Sequence, residues 1–126
     1  MDDPNALVSL SVPADARSIA IVRSVVASVA SSLALTYDSV DDLRIAAAEA
    51  CAMVLGDGPG GRLRIDLLPG DDALRLRVWR DGSTDGVPLD REGLAWRVID
   101  GLTDGAELGE VEGNVSVDLL VRTVAE

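Results

Sequence analysis

The sequence contains no lysine, no histidine and no phenylalanine, and one cysteine, Cys51. Without histidine there is no imidazole for a metal and no Ser-His-Asp catalytic relay. A single thiol cannot build a zinc centre, which takes several Cys or His ligands. Nor can it close an internal disulfide, a usage that fits a reducing compartment. Without lysine a Gly-x-x-x-x-Gly-Lys-Ser phosphate loop is excluded. Aromatic residues are 2% of the chain, so Leu, Val, Ile and Ala have to build the core. Long apolar runs are missing too. The longest candidate, 19–35, is broken by Arg23 and several serines, whereas a membrane span needs about 18–20 apolar residues. The opening Met1-Asp2-Asp3-Pro4 is acidic where a signal peptide is basic. The expectation is a cytoplasmic protein without a membrane segment.

What is present suits one compact domain over 1–126, with 48% apolar residues for a continuous core. The formal net charge is −11. Such a surface repels a phosphate backbone, so direct nucleic-acid binding is not expected. It suits a partner with basic patches, because complementary fields speed encounter, and it also simply keeps the protein in solution.

Leu7 to Val12 alternates as a first strand and stops at Pro13. The stretch 14–35 reads as a helix with Ile19, Val22, Val26 and Val29 on one stripe. Asp38 or Ser39 is expected to cap a second helix, whose core face is Leu43, Ala46, Ala47, Ala50 and Val54. That helix ends at Gly56, where Gly56-Asp57-Gly58-Pro59-Gly60-Gly61 begins. Leu63, Ile65 and Leu67, then Leu74, Leu76 and Val78, mark two strands turning at Pro69-Gly70-Asp71-Asp72. A polar loop over 81–90 leads to a third helix, Arg91 to Leu102, with Leu94, Val98 and Leu102 four apart. Strands over 106–111 and through Val115, Val117, Leu119 and Val121 close the chain. The order β-α-α-β-β-α-β-β predicts a two-layer α/β (α+β) sandwich: a mixed, mostly antiparallel sheet with three helices on one face.

The second helix contains Leu43-x-x-Ala46-x-x-Glu49-Ala50-Cys51. This resembles the Leu-x-x-Ala-x-x-Glu-Ala-Cys segment of anti-sigma-factor serine kinases of the RsbW and SpoIIAB type. Further similarities follow in register. Ile21-Val22-Arg23 is similar to a Leu-x-Arg in the family's first helix, and Asp81-Gly82 follows the hairpin. Gly93-Leu94-Ala95 with Leu102-Thr103-Asp104 resembles the Gly-x-Gly helix ending in Leu-x-Asp, and Gly113-Asn114 the Gly-Thr before the last strand. The resemblance spans roughly the whole chain and implies a Bergerat-like ATPase/kinase fold.

It also implies roles, and the departures fall at the chemical positions. Glu49 matches the candidate base that takes the proton of a substrate serine. Met53 stands where an Asn ligates the Mg²⁺ of ATP, and a thioether is a poor ligand for that hard cation. Arg80 takes the place of the Asp that accepts the adenine amino proton, and arginine only donates. Asp81 comes one residue late, on the opposite parity, unless a bulge turns it round. Gly93-Leu94-Ala95 puts a Cβ on the second glycine of the phosphate cradle. The stretch from Gly82 to Glu92 is much shorter than the family's lid, and Asn114 replaces a threonine. Each charged hydrogen bond lost is worth roughly 1.5–3 kcal/mol, so ATP and Mg²⁺ binding is expected to be weak or lost, with Glu49 vestigial.

By this resemblance the chain is a regulator that sequesters an alternative sigma factor of stress-response or developmental type. An anti-anti-sigma protein antagonises it, and Arg23, with Arg17, contacts the partner. Homodimerisation is expected through 7–26. The alternative is an active ATP-dependent serine kinase acting on the anti-anti-sigma protein. Cys51, between alanines, packs as a small hydrophobe or senses oxidation. Trp79 and Trp96 are expected to be buried. Arg62, Arg64, Arg75 and Arg77 are expected to pair with Asp66, Asp118 and neighbours on the open sheet face.

Overall fold

The computed structural model describes residues 3–56, 60–82 and 89–123. In chain order the elements are β1 (Val8–Pro13), α1 (Ser18–Ser32), α2 (Tyr37–Leu55), β2 (Arg62–Gly70), β3 (Ala73–Asp81), α3 (Leu94–Leu102), β4 (Gly105–Val111) and β5 (Asn114–Arg122). The strands form a five-stranded sheet in the order β1-β2-β3-β5-β4. Every pairing is antiparallel, so the sheet is not mixed. The reason is local. Each neighbouring pair of strands is a hairpin, except that β1 returns to β2 through the α1–α2 pair and β3 reaches β5 around α3 and β4.

The period-two pattern sorts the two faces. Leu63, Ile65 and Leu67 of β2, Leu74, Leu76 and Val78 of β3, and Val117, Leu119 and Val121 of β5 are all buried beneath the helices. Burying one such side chain contributes about 1.5–3 kcal/mol. Helix α2 packs on β3 and β5, between α1 and α3. Its buried stripe, Leu43, Ala46, Ala47, Ala50, Cys51, Val54 and Leu55, is largely small residues. Small side chains there let the helix lie close to the sheet.

Several boundaries differ from the sequence reading. Helix α1 starts at Ser18, because Asp15 folds a turn ahead of it through its carboxylate and the Arg17 backbone N–H (2.8 Å). Its stripe holds: Val22 and Val26 are fully buried, and Ile19 and Val29 pack against the core. The cap of α2 is Thr36, whose hydroxyl accepts from the Ser39 N–H (3.1 Å), and not Asp38 or Ser39. Pro69 and Gly70 belong to β2, leaving Asp71 and Asp72 to turn the chain, with Asp72 at φ 54. Helix α3 begins at Leu94 and buries Trp96 and Ile99, whereas Leu94 itself is 78% exposed. Of the expected Leu94-Val98-Leu102 stripe, Leu102 packs against the core and Val98 is half-buried, while Leu94 faces outward.

Candidate functional site

Met53 lies in the last turns of α2 and is half-buried against the core. Gly93 caps α3 and Ala95 sits in its first turn. These three, with Leu89, Asp90 and Leu94, line one cavity of about 310 Å³. Three of the sequence-predicted positions thus meet at one place. Among the described residues the walls are a thioether, two leucines and a methyl group, with Asp90 as the one ionisable side chain.

Asp90 decides the electrostatics. Its Oδ1 accepts from the Glu92 N–H (2.9 Å), and its Oδ2 lies over Gly93, 2.8 Å from where a Cβ would stand. The start of a helix favours negative charge. Here the chain supplies its own carboxylate beside the start of α3, and a phosphate at the same place would meet that charge. Sequence reading missed Asp90 as well as Leu89. The available signal was an Asp shortly ahead of a helix, one of the residue types favoured near such starts.

Arg80 and Asp81 part company as alternation requires. The β2–β3 register runs without a bulge from Gly70↔Ala73 to Arg62↔Asp81. Arg80 therefore points to the helix side with Val78 and is 7% exposed. Its guanidinium donates to the carbonyls of Gly60 (Nε, 2.9 Å) and Leu55. Leu55 is the last residue of α2, whose final carbonyls lack intrahelical donors. A cation at that end also complements the helix dipole. Asp81 points to the open face, where it accepts from the Arg62 N–H (3.2 Å) and pairs with Arg64 (3.1 Å). Gly82 follows at φ +74, its would-be Cβ 3.0 Å from Gly61 Cα.

The remaining candidates stand apart from the cavity walls. Glu49, one turn before Met53, is half-buried and has no hydrogen bond or ion pair among the described residues. Asn114 spends its amide on the turn between β4 and β5, donating to Val111 (3.2 Å) and Glu112 (3.5 Å) carbonyls. Glu112 and Gly113 there have φ 50 and 85, the left-handed pair of a tight hairpin. Arg23 is exposed on α1. Arg17 is 92% exposed and ion-pairs with Asp15 at 3.0 Å. The hydrogen bond from Arg17 holds the Asp15 carboxyl below its usual range. Most of the expected lid, at 83–88, lies outside the described residues, as do 57–59 of the glycine-rich stretch.

On the open face two of the four expected arginines pair with aspartates, Arg64 with Asp81 and Arg77 with Asp118, whereas the Arg62 guanidinium donates to Ser11. Arg77 forks onto Asp118 (3.0 and 3.1 Å), and Ser116 donates to the same carboxylate (2.9 Å). The Arg77 pKa is raised, chiefly by its hydrogen bond to Asp118. Arg64 lies 5.7 Å from the Trp79 ring centre, and Trp79 is 4% exposed. Trp96 is buried beside Arg91. Cys51 is fully buried, and burial pushes its thiol up to about 12. Among the described residues no His/Cys/Asp/Glu group could hold a metal, and no helix is long and apolar enough to cross a membrane.

Comparison with known proteins agrees with this fold. The sequence model of the histidine kinase-like ATPase domain matches residues 12–119. The serine-protein kinase RsbW of Halalkalibacterium halodurans is 31% identical over 89 residues, covering 69% of this chain and 55% of that protein. The serine-protein kinase RsbW of Bacillus pumilus is 28% identical over 90 residues, covering 67% and 56%. The chain thus spans about half the length of these curated relatives. Among solved structures, the RsbU and RsbW domains of Rv1364c from Mycobacterium tuberculosis superpose with a TM-score of 0.68 at 16% identity. The match covers 91% of this chain and 31% of that one.

Proposed function

The chain belongs to the histidine kinase-like ATPase domain family, and on that premise we propose that it is an anti-sigma factor working without nucleotide. In this reading it sequesters an alternative sigma factor in the cytoplasm and releases it when an anti-anti-sigma protein competes for the complex. The similarity to RsbW proteins supports the partner class. One observation carries the absence of nucleotide: the buried guanidinium of Arg80, committed to the carbonyls of Leu55 and Gly60.

The residues present do not fit Mg²⁺-ATP. Met53 offers a thioether where a hard cation wants oxygen. Asp90 places a carboxylate at the start of α3, where an anionic phosphate would otherwise be favoured. Arg80 can only donate, and its donors face main-chain carbonyls. Glu49 could accept a proton, but phosphoryl transfer rests mainly on positioning and charge compensation by metal and cations. No reaction step follows from this constellation. Control then falls to the relative affinities of two protein partners, which differential binding can supply without chemistry.

The second reading, a serine kinase, is favoured by Glu49 and by the relatives' own description as serine-protein kinases. A displacement experiment separates the two. The complex with the sigma factor is mixed with the unphosphorylated anti-anti-sigma protein and resolved by gel filtration, without and with Mg²⁺-ATP. The expected outcome is equal release in both and an unmodified antagonist by mass spectrometry. A phosphoserine on the antagonist, lost with Glu49→Ala, would establish the kinase instead.

A further inference from the structure

We propose that Arg80 and Asp81 form a two-sided latch that fixes the last turn of α2 and the start of β2 in one conformation before any partner arrives. Glycines stand on both sides of the connection between these elements. Gly56, Gly60 and Gly61 have φ 55, 102 and 81, a region that suits glycine and leaves it the most freedom to lose. A local hold is therefore required. Consecutive positions of β3 provide it on opposite faces of the sheet.

On the helix side, the Arg80 fork joins Leu55, the end of α2, to Gly60, two residues ahead of β2. On the open side, Asp81 accepts from the Arg62 backbone and side-chain N–H of Arg64, the first turns of β2. Between them the two backbones touch. A Cβ on Gly61 would stand 2.0 Å from the Asp81 carbonyl oxygen. The planar guanidinium reaches two carbonyls at once, which an ammonium does as a point charge with poorer geometry. Met53 lies two residues before Leu55, so the latch also steadies one wall of the cavity against α3. This inference is independent of which partner the chain binds.

Hydrogen–deuterium exchange on the intact protein tests it, comparing wild type with Arg80→Met, Arg80→Lys and Asp81→Asn. Amides at 52–56 and 60–62 report the latch, and those of α1 serve as the reference. In Arg80→Met, exchange at the latch amides rises at least tenfold, the effect of losing one charged hydrogen bond, while α1 is unchanged. Arg80→Lys restores part of the protection, and Asp81→Asn loosens 60–62 alone. Wild-type protection in Arg80→Met, or an equal rise in α1, would overturn the latch. If Arg80→Met does not fold, Arg80→Lys carries the same comparison: a rise confined to the latch amides supports it, and wild-type protection overturns it.

Discussion

Cys51 shows how burial sets what a residue can do. The thiolate is the reactive form, and desolvation raises the Cys51 pKa from 9.0 to about 12. At neutral pH the group is a protonated, fully buried hydrophobe, and the oxidation-sensing role loses its physical basis. A thiol reagent at pH 8 is expected to label Cys51 at the rate of unfolding, and rapidly only in denaturant. Because the folded pKa is the higher one, this thiol's contribution to stability is complete below pH 9. It is lost as pH rises towards 12, which alkaline denaturation with Cys51→Ser as control would reveal. Arg80 makes the converse point. Its parity on β3 was legible in the alternation of Leu74, Leu76 and Val78, but its partners were not. They are main-chain carbonyls, and a carbonyl leaves no mark in the residue types. Asp90 was hidden for a similar reason, since its action depends on where α3 begins.

At the scale of elements, the sheet and the α2 face were legible because burial repeats with the period of the structure. All five residues assigned to the core face of α2 are buried. Helix ends were less legible, because they turn on single hydrogen bonds. Thr36 rather than Asp38 or Ser39 satisfies an N–H of the first turn. Thr36→Ala is expected to destabilise the protein by about 1 kcal/mol, with Asp38→Ala near neutral, measured by urea unfolding at constant m-value. The short α3 misled the reading differently. Its apolar residues allow two stripes, and the one containing Trp96 and Ile99 is the more deeply buried. Leu94 is left exposed at the mouth of the Met53 cavity. A propensity argument cannot choose between such stripes, since tertiary contact decides.

Over the whole molecule, an acidic chain of net charge −11 presents helices on one side of its sheet and an arginine–aspartate lattice on the other. The fold was legible from element order. The candidate site was legible as positions, of which Met53, Gly93 and Ala95 converge, while Glu49, Arg80, Asp81, Gly82 and Asn114 do not line the cavity they share. The account stands on the replacement of a nucleotide site by internal contacts. Its most direct test is calorimetric titration of the protein with ATP in the presence of Mg²⁺. The account predicts no binding heat up to millimolar nucleotide. Micromolar binding at one site per chain would contradict it, and would place the chain among the nucleotide-dependent kinases of its family.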